Sequence, residues 1–370
     1  MPVRALKSYG AGRPEEFAAR RFCIPPSGSI AVNLLLLLST VAVLCGAAEI
    51  ALRWRHAQAI RRIAGERDTQ ELCTTRSPDP RLIYTLVPGR CGANSRGYID
   101  REHTLKKGKG VFRIVVIGDS VAQGRFLTLE QSFPKPLEKR LNDESDSLSY
   151  EVIVLARLGY STSQELVLLE EEAFQYDPDL ILWSYVLNDP AHPVYHNCNG
   201  ELGTYYYRPS SYLLHFIAAR LFALRERWKG RDCEKEFHAY LHCVYWNQVA
   251  SNLERIGRVC RQHGVPVVFV IHPVFQKIDD YSHYTLRPLH QRLAEAAARN
   301  GFTTVDLLGA FEPYKPDELR IERPDWYDPW HPNALGHEII AEFIERALST
   351  HGLIGGGGST RTGRDPKAAP

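Results

Sequence analysis

Two short segments of the chain carry residue types that together suit nucleophilic catalysis. The segment GDSVAQG at 118–124 presents Ser120 directly after an apolar run, and DPWH at 328–331 places a carboxylate three residues before a histidine. A carboxylate in such a turn can accept the Nδ1 proton of the imidazole, which leaves Nε2 free to take the proton of a serine. The two segments therefore hold a candidate nucleophile, base and orienting acid.

Each of these residues also has a plainer interpretation. Gly-Asp-Ser is common in turns, and we expect Asp119 to bond turn amides rather than to do chemistry. His337 is expected to pack beside the site as a helix residue. His272, at the end of a predicted strand, is expected to be a satisfied structural histidine.

The apolar run before Ser120 predicts a buried strand. Residues 114–117, IVVI, show no alternation of apolar and polar side chains, which is typical of a strand covered on both faces in a parallel sheet. Functional sites of such sheets lie at the carboxyl ends of the strands. Gly118 permits the tight turn, and Gly124 permits close approach of another segment.

Strand and helix patterns alternate along the rest of the chain, which predicts an α/β fold with a parallel five-stranded sheet and right-handed crossovers. Further strands are predicted at 150–156, 180–186, 265–271 and 303–307. Helices are predicted within 129–142, beginning near Pro134, at 247–263, at 289–300 and from the DPWHPN turn to about 350. A short strand is possible at 82–86.

The connection at 191–245 is too long for a crossover loop. It contains Tyr205, Tyr206 and a helical pattern at 211–228, and it follows a strand end, so one interpretation is a lid that shapes the substrate site. Two alternatives stay open: a helix packed as ordinary core, and a helix on a membrane surface.

The N-terminal region predicts a membrane helix at 29–52, because this stretch carries one charge, Glu49, and is long enough to span the hydrocarbon. A cleaved signal peptide is the alternative, and lipoprotein processing at Cys45 is disfavoured by Leu44. Basic residues lie on both sides of the span and do not orient it. Around it we expect a tail at 1–28, a linker at 53–77, one catalytic domain at 78–350 and a flexible tail at 351–370.

Cysteines in polar segments after the span indicate a compartment outside the cytoplasm. Cys73 and Cys91 are predicted to pair, one pair is expected among Cys198, Cys233 and Cys243, and Cys260 is expected to be a free buried thiol. No spacing suggests zinc. Lysines and arginines are spread among acidic residues at a net charge of +2, which gives no nucleic-acid surface.

GDSVAQG, the turn at Gly159, the Asn188-Asp189 pair and DPWH resemble, in this order, the four blocks of the SGNH or GDSL-like hydrolases. The segments RSPDPRLIYTLVP, NSRGY, FRIVVIGDS and DPWHPNALGH are similar to the membrane-anchored bacterial branch of that family, and the resemblance covers about residues 78–348. It implies a three-layer, flavodoxin-like α/β/α sandwich.

The resemblance further implies that Ser120 is the nucleophile, His331 the base and Asp328 its orienting acid. Gly159 and Asn188 would join the Ser120 amide in an oxyanion hole. No metal and no organic cofactor is implied. The chain departs from the family pattern at Val121, at Leu187 and in the absence of the asparagine that often opens the second block.

The expected function is a serine esterase, held in the inner membrane by a single span, that hydrolyses an acyl ester of a glycan or lipid in the periplasm. One alternative is an O-acyltransferase or deacetylase acting on an envelope polysaccharide, with the same triad. Another is a catalytically silent scaffold of the same fold, against which the intact Ser120, Asp328 and His331 argue.

Overall fold

The computed structural model describes residues 27–65, 73–195, 207–324 and 327–354. The chain divides into two compact units, Met1–Arg53 and Trp54–Pro370. Helix α1 comprises Ser27–Gly65. Within it, the stretch Ser29–Arg61 has a mean hydropathy of 2.4 over its 18 most apolar consecutive residues, and none of these residues is buried. This helix is long and apolar enough to cross a membrane, a property that signal sequences near an N-terminus share.

Five parallel strands form the central sheet of the second unit. They are β3 (Val111–Gly118), β4 (Ser149–Ala156), β5 (Leu180–Val186), β6 (Val267–His272) and β7 (Thr303–Asp306). Their spatial order is β4-β3-β5-β6-β7. A separate antiparallel pair is formed by β1 (Thr74–Arg76) and β2 (Tyr84–Leu86), which confirms a short strand in the 82–86 segment.

Two groups of helices flank the sheet, so the predicted three-layer α/β/α architecture is confirmed. The helices are α2 (Ser120–Gln123), α3 (Pro134–Asp143), α4 (Thr162–Glu171), α5 (Tyr212–Lys229), α6 (Phe237–His263), α7 (Arg287–Arg299), α8 (Leu308–Phe311), α9 (Pro316–Leu319) and α10 (Ala334–Thr350). Helix α3 packs with α10, whereas α6 packs with α4 and α7.

Strand β3 is buried as its unbroken apolar run predicts. Ile114, Val115, Val116 and Ile117 are completely shielded from solvent, and all seven residues of β5 are buried. Burial of such apolar side chains stabilises the fold by about 25 cal/mol per Å² of apolar surface removed from water. The segment that holds Ser120 therefore follows directly on a buried strand.

One predicted helix start is confirmed and another differs from the structure. Helix α3 begins at Pro134, as predicted, because proline lacks an amide hydrogen and suits the first helical turn, and a 3₁₀ turn at Leu129–Gln131 precedes it. Helix α6 begins at Phe237, ten residues before the predicted start at 247, inside the segment predicted as an insertion. Glu236 caps it by accepting the amide of Ala239 at 2.8 Å.

Two disulfide bonds join cysteines of the second unit. Cys73 is bonded to Cys91, as predicted, and Cys233 to Cys243. Cys260 is a free buried thiol, and burial raises its pKa to about 12. Cys198, the third candidate for the second pair, lies outside the described residues.

Helix α5 does not pack as core. None of its residues is buried, so that interpretation of the segment at 211–228 is wrong. The two tyrosines of the lid interpretation, Tyr205 and Tyr206, lie outside the described residues.

Candidate active site

The turn after β3 leaves room for glycine only. A Cβ atom at Gly118 would lie 2.9 Å from the Cβ atoms of both Ala122 and Ser184, closer than packed side chains approach. The Asp119 carboxylate accepts the amide of Val121 at 2.9 Å and so caps α2, which is the turn role predicted for it. Ser120 thus begins a short helix at the carboxyl end of a buried strand.

Ser120, His331 and Asp328 meet in one hydrogen-bonded line. The Ser120 hydroxyl lies 2.9 Å from Nε2 of His331, and Nδ1 of His331 lies 2.8 Å from the nearer Asp328 oxygen. Since the Asp328 carboxylate accepts the Nδ1 proton, Nε2 carries the lone pair that faces the serine. The structure therefore brings together two segments that are 211 residues apart in sequence.

The Asp328 carboxylate is completely shielded from solvent yet stays ionised. Burial alone would raise its pKa, but the hydrogen bond and the charge of His331, with the amides of Trp330 and His331 at 3.0 and 3.1 Å, hold the pKa below its ordinary value. A charged Asp328 can stabilise the imidazolium that forms when His331 takes a proton.

The other predicted site residues, Gly159 and Asn188, follow the two strands that pair with β3. Gly118 pairs with Ala156 of β4 on one side and with Ser184 of β5 on the other. Gly159 follows β4 and Asn188 follows β5, so both lie at the strand ends that flank Ser120. Gly159 has φ +72°, a conformation that favours glycine, and a Cβ there would lie 3.0 Å from the Tyr84 hydroxyl.

The loop of Gly159 is hydrogen-bonded to the short helix that begins at Ser120. The amide of Leu158 donates to Oε1 of Gln123 at 2.7 Å, and the Leu158 carbonyl accepts the Tyr84 hydroxyl at 2.5 Å. The Oδ1 atom of Asn188 is buried without a partner among the described residues. The two bonds to Leu158 hold the loop that carries the Gly159 amide, and an oxyanion donor must be held in place in this way.

The model of the GDSL-like Lipase/Acylhydrolase family matches residues 116–339, a range that encloses Ser120, Gly159, Asn188, Asp328 and His331. The chain belongs to this family. It is therefore a hydrolase of carboxylic esters, and the resemblance of its four motifs to the SGNH or GDSL-like hydrolases is confirmed.

Solved structures that are similar to the chain include two hydrolases. An acetylxylan esterase from Geobacillus stearothermophilus, solved as a catalytic mutant, is 15% identical, with 64% of this chain and 94% of that chain covered and a TM-score of 0.41. The lipase/acylhydrolase from Enterococcus faecalis is 15% identical, with 65% and 96% covered and a TM-score of 0.39. No curated protein sequence matches the chain.

Two buried histidines, His272 and His337, lie near the site and contact its neighbouring segments. Nδ1 of His337 accepts the amide of Phe133 at 3.0 Å, and Nε2 of His272 lies 2.8 Å from the Ser184 hydroxyl. Both are almost fully buried, and burial lowers the pKa of each to about 3. His337 packs beside the site as the plainer interpretation predicts, whereas His272 is only half satisfied, because its buried Nδ1 has no hydrogen-bond partner among the described residues.

Three carboxyl groups, those of Asp119, Glu165 and Asp189, are buried close to one another near Ser120. Burial and mutual repulsion raise the pKa of Glu165 and Asp189 well above the ordinary values, and burial raises that of Asp119. Both Glu165 side-chain oxygens lack a partner among the described residues. Within the described ranges, no group of three or more His, Cys, Asp or Glu residues has the arrangement of a metal site.

The structure reveals an aromatic residue at the mouth of the site that the sequence analysis missed. The ring of Phe126 stands edge-on to His331, with 5.5 Å between centroids, and is 37% exposed. Its backbone has φ +68°, which costs free energy for a residue with a bulky side chain. The guanidinium groups of Arg125 and Arg323 lie 4.6 and 4.9 Å from the ring centroid. No local sequence pattern signals this conformation.

A second unanticipated feature links the DPWH turn to the start of α6. The indole Nε1 of Trp330 donates to Nε2 of His238 at 3.1 Å, and Nδ1 of His238 donates to Glu236 at 2.8 Å. The Cys233–Cys243 disulfide spans this segment. Because Trp330 is 92 residues from His238, spacing in the sequence does not show the link.

Proposed function

We propose that this protein is a membrane-anchored serine esterase that hydrolyses an acyl ester through an acyl-enzyme on Ser120. The observation that carries the proposal is the buried line of two short hydrogen bonds, 2.9 Å from Ser120 to His331 and 2.8 Å from His331 to Asp328. A serine hydroxyl with an adjacent oriented base is the arrangement that nucleophilic catalysis requires. The proposed catalytic domain comprises residues 78–350.

In the first half-reaction, Oγ of Ser120 bonds to the acyl carbon while its proton passes to Nε2 of His331. The negative charge on the former carbonyl oxygen is stabilised by the Gly159 amide and the Asn188 side chain, with the Ser120 amide as the third proposed donor. The intermediate collapses when the C–O bond to the alcohol breaks and His331 gives the alcohol its proton. Asp328 offsets the charge of the imidazolium throughout.

In the second half-reaction, water takes the place of the alcohol. His331 accepts a proton from the water as its oxygen bonds to the acyl carbon, and returns the proton to Oγ as the carboxylic acid leaves. A sugar hydroxyl in place of water would turn the same residues into an acyltransferase, so the acceptor alone separates hydrolysis from transfer.

The proposed location is the outer side of the inner membrane, with α1 as the anchor. The support is the apolar stretch Ser29–Arg61 together with two disulfide bonds, since disulfides persist in oxidising compartments. A reporter that is active only outside the cytoplasm, fused after Leu348, is expected to be active. Activity of a cytoplasmic reporter at the same position would reverse the assignment.

A fluorophosphonate probe tests the nucleophile. The native protein is expected to be labelled at Ser120, and Ser120→Ala is expected to lose both labelling and turnover of short-chain aryl esters and acetylated glycans. Ser163→Ala, which removes a hydroxyl bonded to Ser161 near the Gly159 loop, is the control and should retain both. Normal turnover by Ser120→Ala would refute the mechanism.

A further inference from the structure

Helix α5 presents an apolar stripe to solvent. Its side chains recur at intervals of three and four residues, which places them on one face of a helix, and their exposed fractions lie between 45% and 68%. The stripe consists of Leu214, Ile217, Leu221, Leu224 and Trp228. A soluble protein surface seldom leaves so regular an apolar row uncovered.

The opposite face of α5 holds the helix to the rest of the domain. Glu226 accepts the hydroxyl of Tyr245 at 2.8 Å, and the ring of Phe222 stacks on Tyr195 with 4.5 Å between centroids. His215 also stacks on Tyr195, at 5.7 Å. Since His215, Phe222 and Glu226 lie on one side of the helix, the apolar stripe faces outward because of how α5 is attached.

Basic side chains border the stripe on both sides. At about 100° per residue, Arg220 and Arg227 fall along one edge of the stripe, and Arg225 and Lys229 along the other. All four are exposed. The one acidic residue of α5, Glu226, lies on the attached face. Long basic side chains can extend from an apolar face toward anionic headgroups.

The start of α5 lies beside a residue that follows the predicted span. Within the second unit, the rings of His56 and Tyr212 are 5.0 Å apart, and Arg208 donates to Nε2 of His56 at 3.1 Å. The segment that leads into α5 is thereby attached to α1 shortly after residues 29–52, which we predict to lie in the membrane. This attachment favours a bilayer as the surface that covers the stripe.

We propose that α5 lies in the headgroup region of an anionic bilayer, with its Leu214–Trp228 stripe among the acyl chains and its four cations on lipid phosphates. The proposal rests on the anchoring proposed for α1. Burial of an apolar face together with attraction of basic residues is how interfacial helices bind membranes. A second copy of the chain is a poorer occupant, because pairing two stripes would set arginines against arginines.

Site-specific fluorescence on the full chain in vesicles tests the proposal. In a background with Cys23, Cys45, Cys198 and Cys260 replaced by serine, an environment-sensitive dye is attached at Leu221→Cys, or at Ala223→Cys as the control. Ala223 is exposed on the same helix but outside the stripe. Quenchers are placed either on the acyl chains of the lipid or, as iodide, in the buffer.

The dye at 221 is expected to be quenched by the lipid-borne quencher and protected from iodide, and the dye at 223 to show the reverse. In anionic vesicles, replacing Arg220 and Arg227 by glutamine is expected to lower the equilibrium constant for docking of α5 on the bilayer about fivefold for each charge removed. Equal exposure of both dyes to iodide would overturn the proposal.

Further outcomes distinguish docking of α5 from the anchoring by α1 and from the esterase activity. Protection of the dye at 221 from both quenchers would overturn it in favour of a protein partner. Flotation of the chain with the vesicles reports the anchor by itself: a chain that floats with an iodide-exposed stripe refutes only the role of α5. A chain that does not float refutes the anchor and the docking together, whereas ester turnover is measured separately.

Discussion

Asn188 is proposed to stabilise the transition state without controlling access to Ser120. Its side chain lies at the end of β5, next to the strand that carries Ser120, and its amide can donate without titrating. We expect Asn188→Ala to lower kcat roughly 10²- to 10³-fold, the effect of one missing oxyanion donor. Labelling of Ser120 by a fluorophosphonate should persist, which shows that the site is intact. An unchanged kcat would remove Asn188 from the oxyanion hole.

Phe126 combines a strained backbone with a place at the mouth of the site. The aromatic ring is expected to contact the substrate, so both Phe126→Ala and Phe126→Gly should raise KM several-fold while kcat changes less. Glycine adopts φ +68° freely, whereas alanine does not, so the glycine variant should be about 1 kcal/mol more stable than the alanine variant. Urea unfolding measures the difference, and a more stable alanine variant would contradict the strain.

At the scale of elements, the start of α6 is expected to position the DPWH turn. Trp330→Phe removes the indole donor to His238, and we expect kcat to fall about fivefold with little change in KM, since a net hydrogen bond contributes about 1 kcal/mol. His238→Ala should cause a similar loss. The matched control is Trp246→Phe in helix α6, the helix of His238, because the Trp246 ring lies under the Arg292 guanidinium at 3.6 Å.

A double-mutant cycle distinguishes this link from general loosening. If Trp330 and His238 act through their shared hydrogen bond, the double variant should lose no more activity than either single variant. Fully additive losses would show that the two side chains act independently. His238→Gln, which keeps an acceptor, is expected to recover part of the kcat that His238→Ala loses.

The pH dependence of stability is a property of the whole molecule, because buried histidines and buried carboxyl groups change the free energy of unfolding in opposite directions as pH changes. Burial lowers the pKa of His242, His272 and His337 to about 3, so the stability from keeping them neutral is present above pH 6.5 and is lost as pH falls from there. The raised pKa values of Glu165 and Asp189 act oppositely: their contribution is present below the ordinary carboxyl value and is lost as pH rises.

Two variants should separate these contributions between pH 5 and 6.5. Relative to the parent protein, Glu165→Gln is expected to gain unfolding free energy with rising pH, by up to about 1.4 kcal/mol per pH unit. His337→Gln should lose about as much per unit over the same range, and His283→Gln, at an exposed position, is the control for replacing an imidazole by an amide. Urea unfolding at several pH values measures each slope, and equal slopes for all three variants would refute the assignment.

The sequence predicts those parts of the molecule that depend on local pattern. The apolar run of β3, the glycine turn before Ser120 and the three-residue spacing of Asp328 and His331 are local, and the structure contains each of them. The spatial order of the strands, the Trp330 contact with His238 and the backbone of Phe126 arise from contacts between distant segments. Such contacts leave no periodic trace in the sequence.

The separation of 211 residues between Ser120 and His331 has a consequence for biosynthesis. At roughly 5 to 20 residues per second, Ser120 leaves the ribosome about 10 to 40 s before His331 does. During that interval the growing chain carries the proposed nucleophile without its proposed base and, by the proposed mechanism, cannot attack esters. Turnover is then expected only after the DPWH turn has been synthesised and has folded against the Ser120 turn.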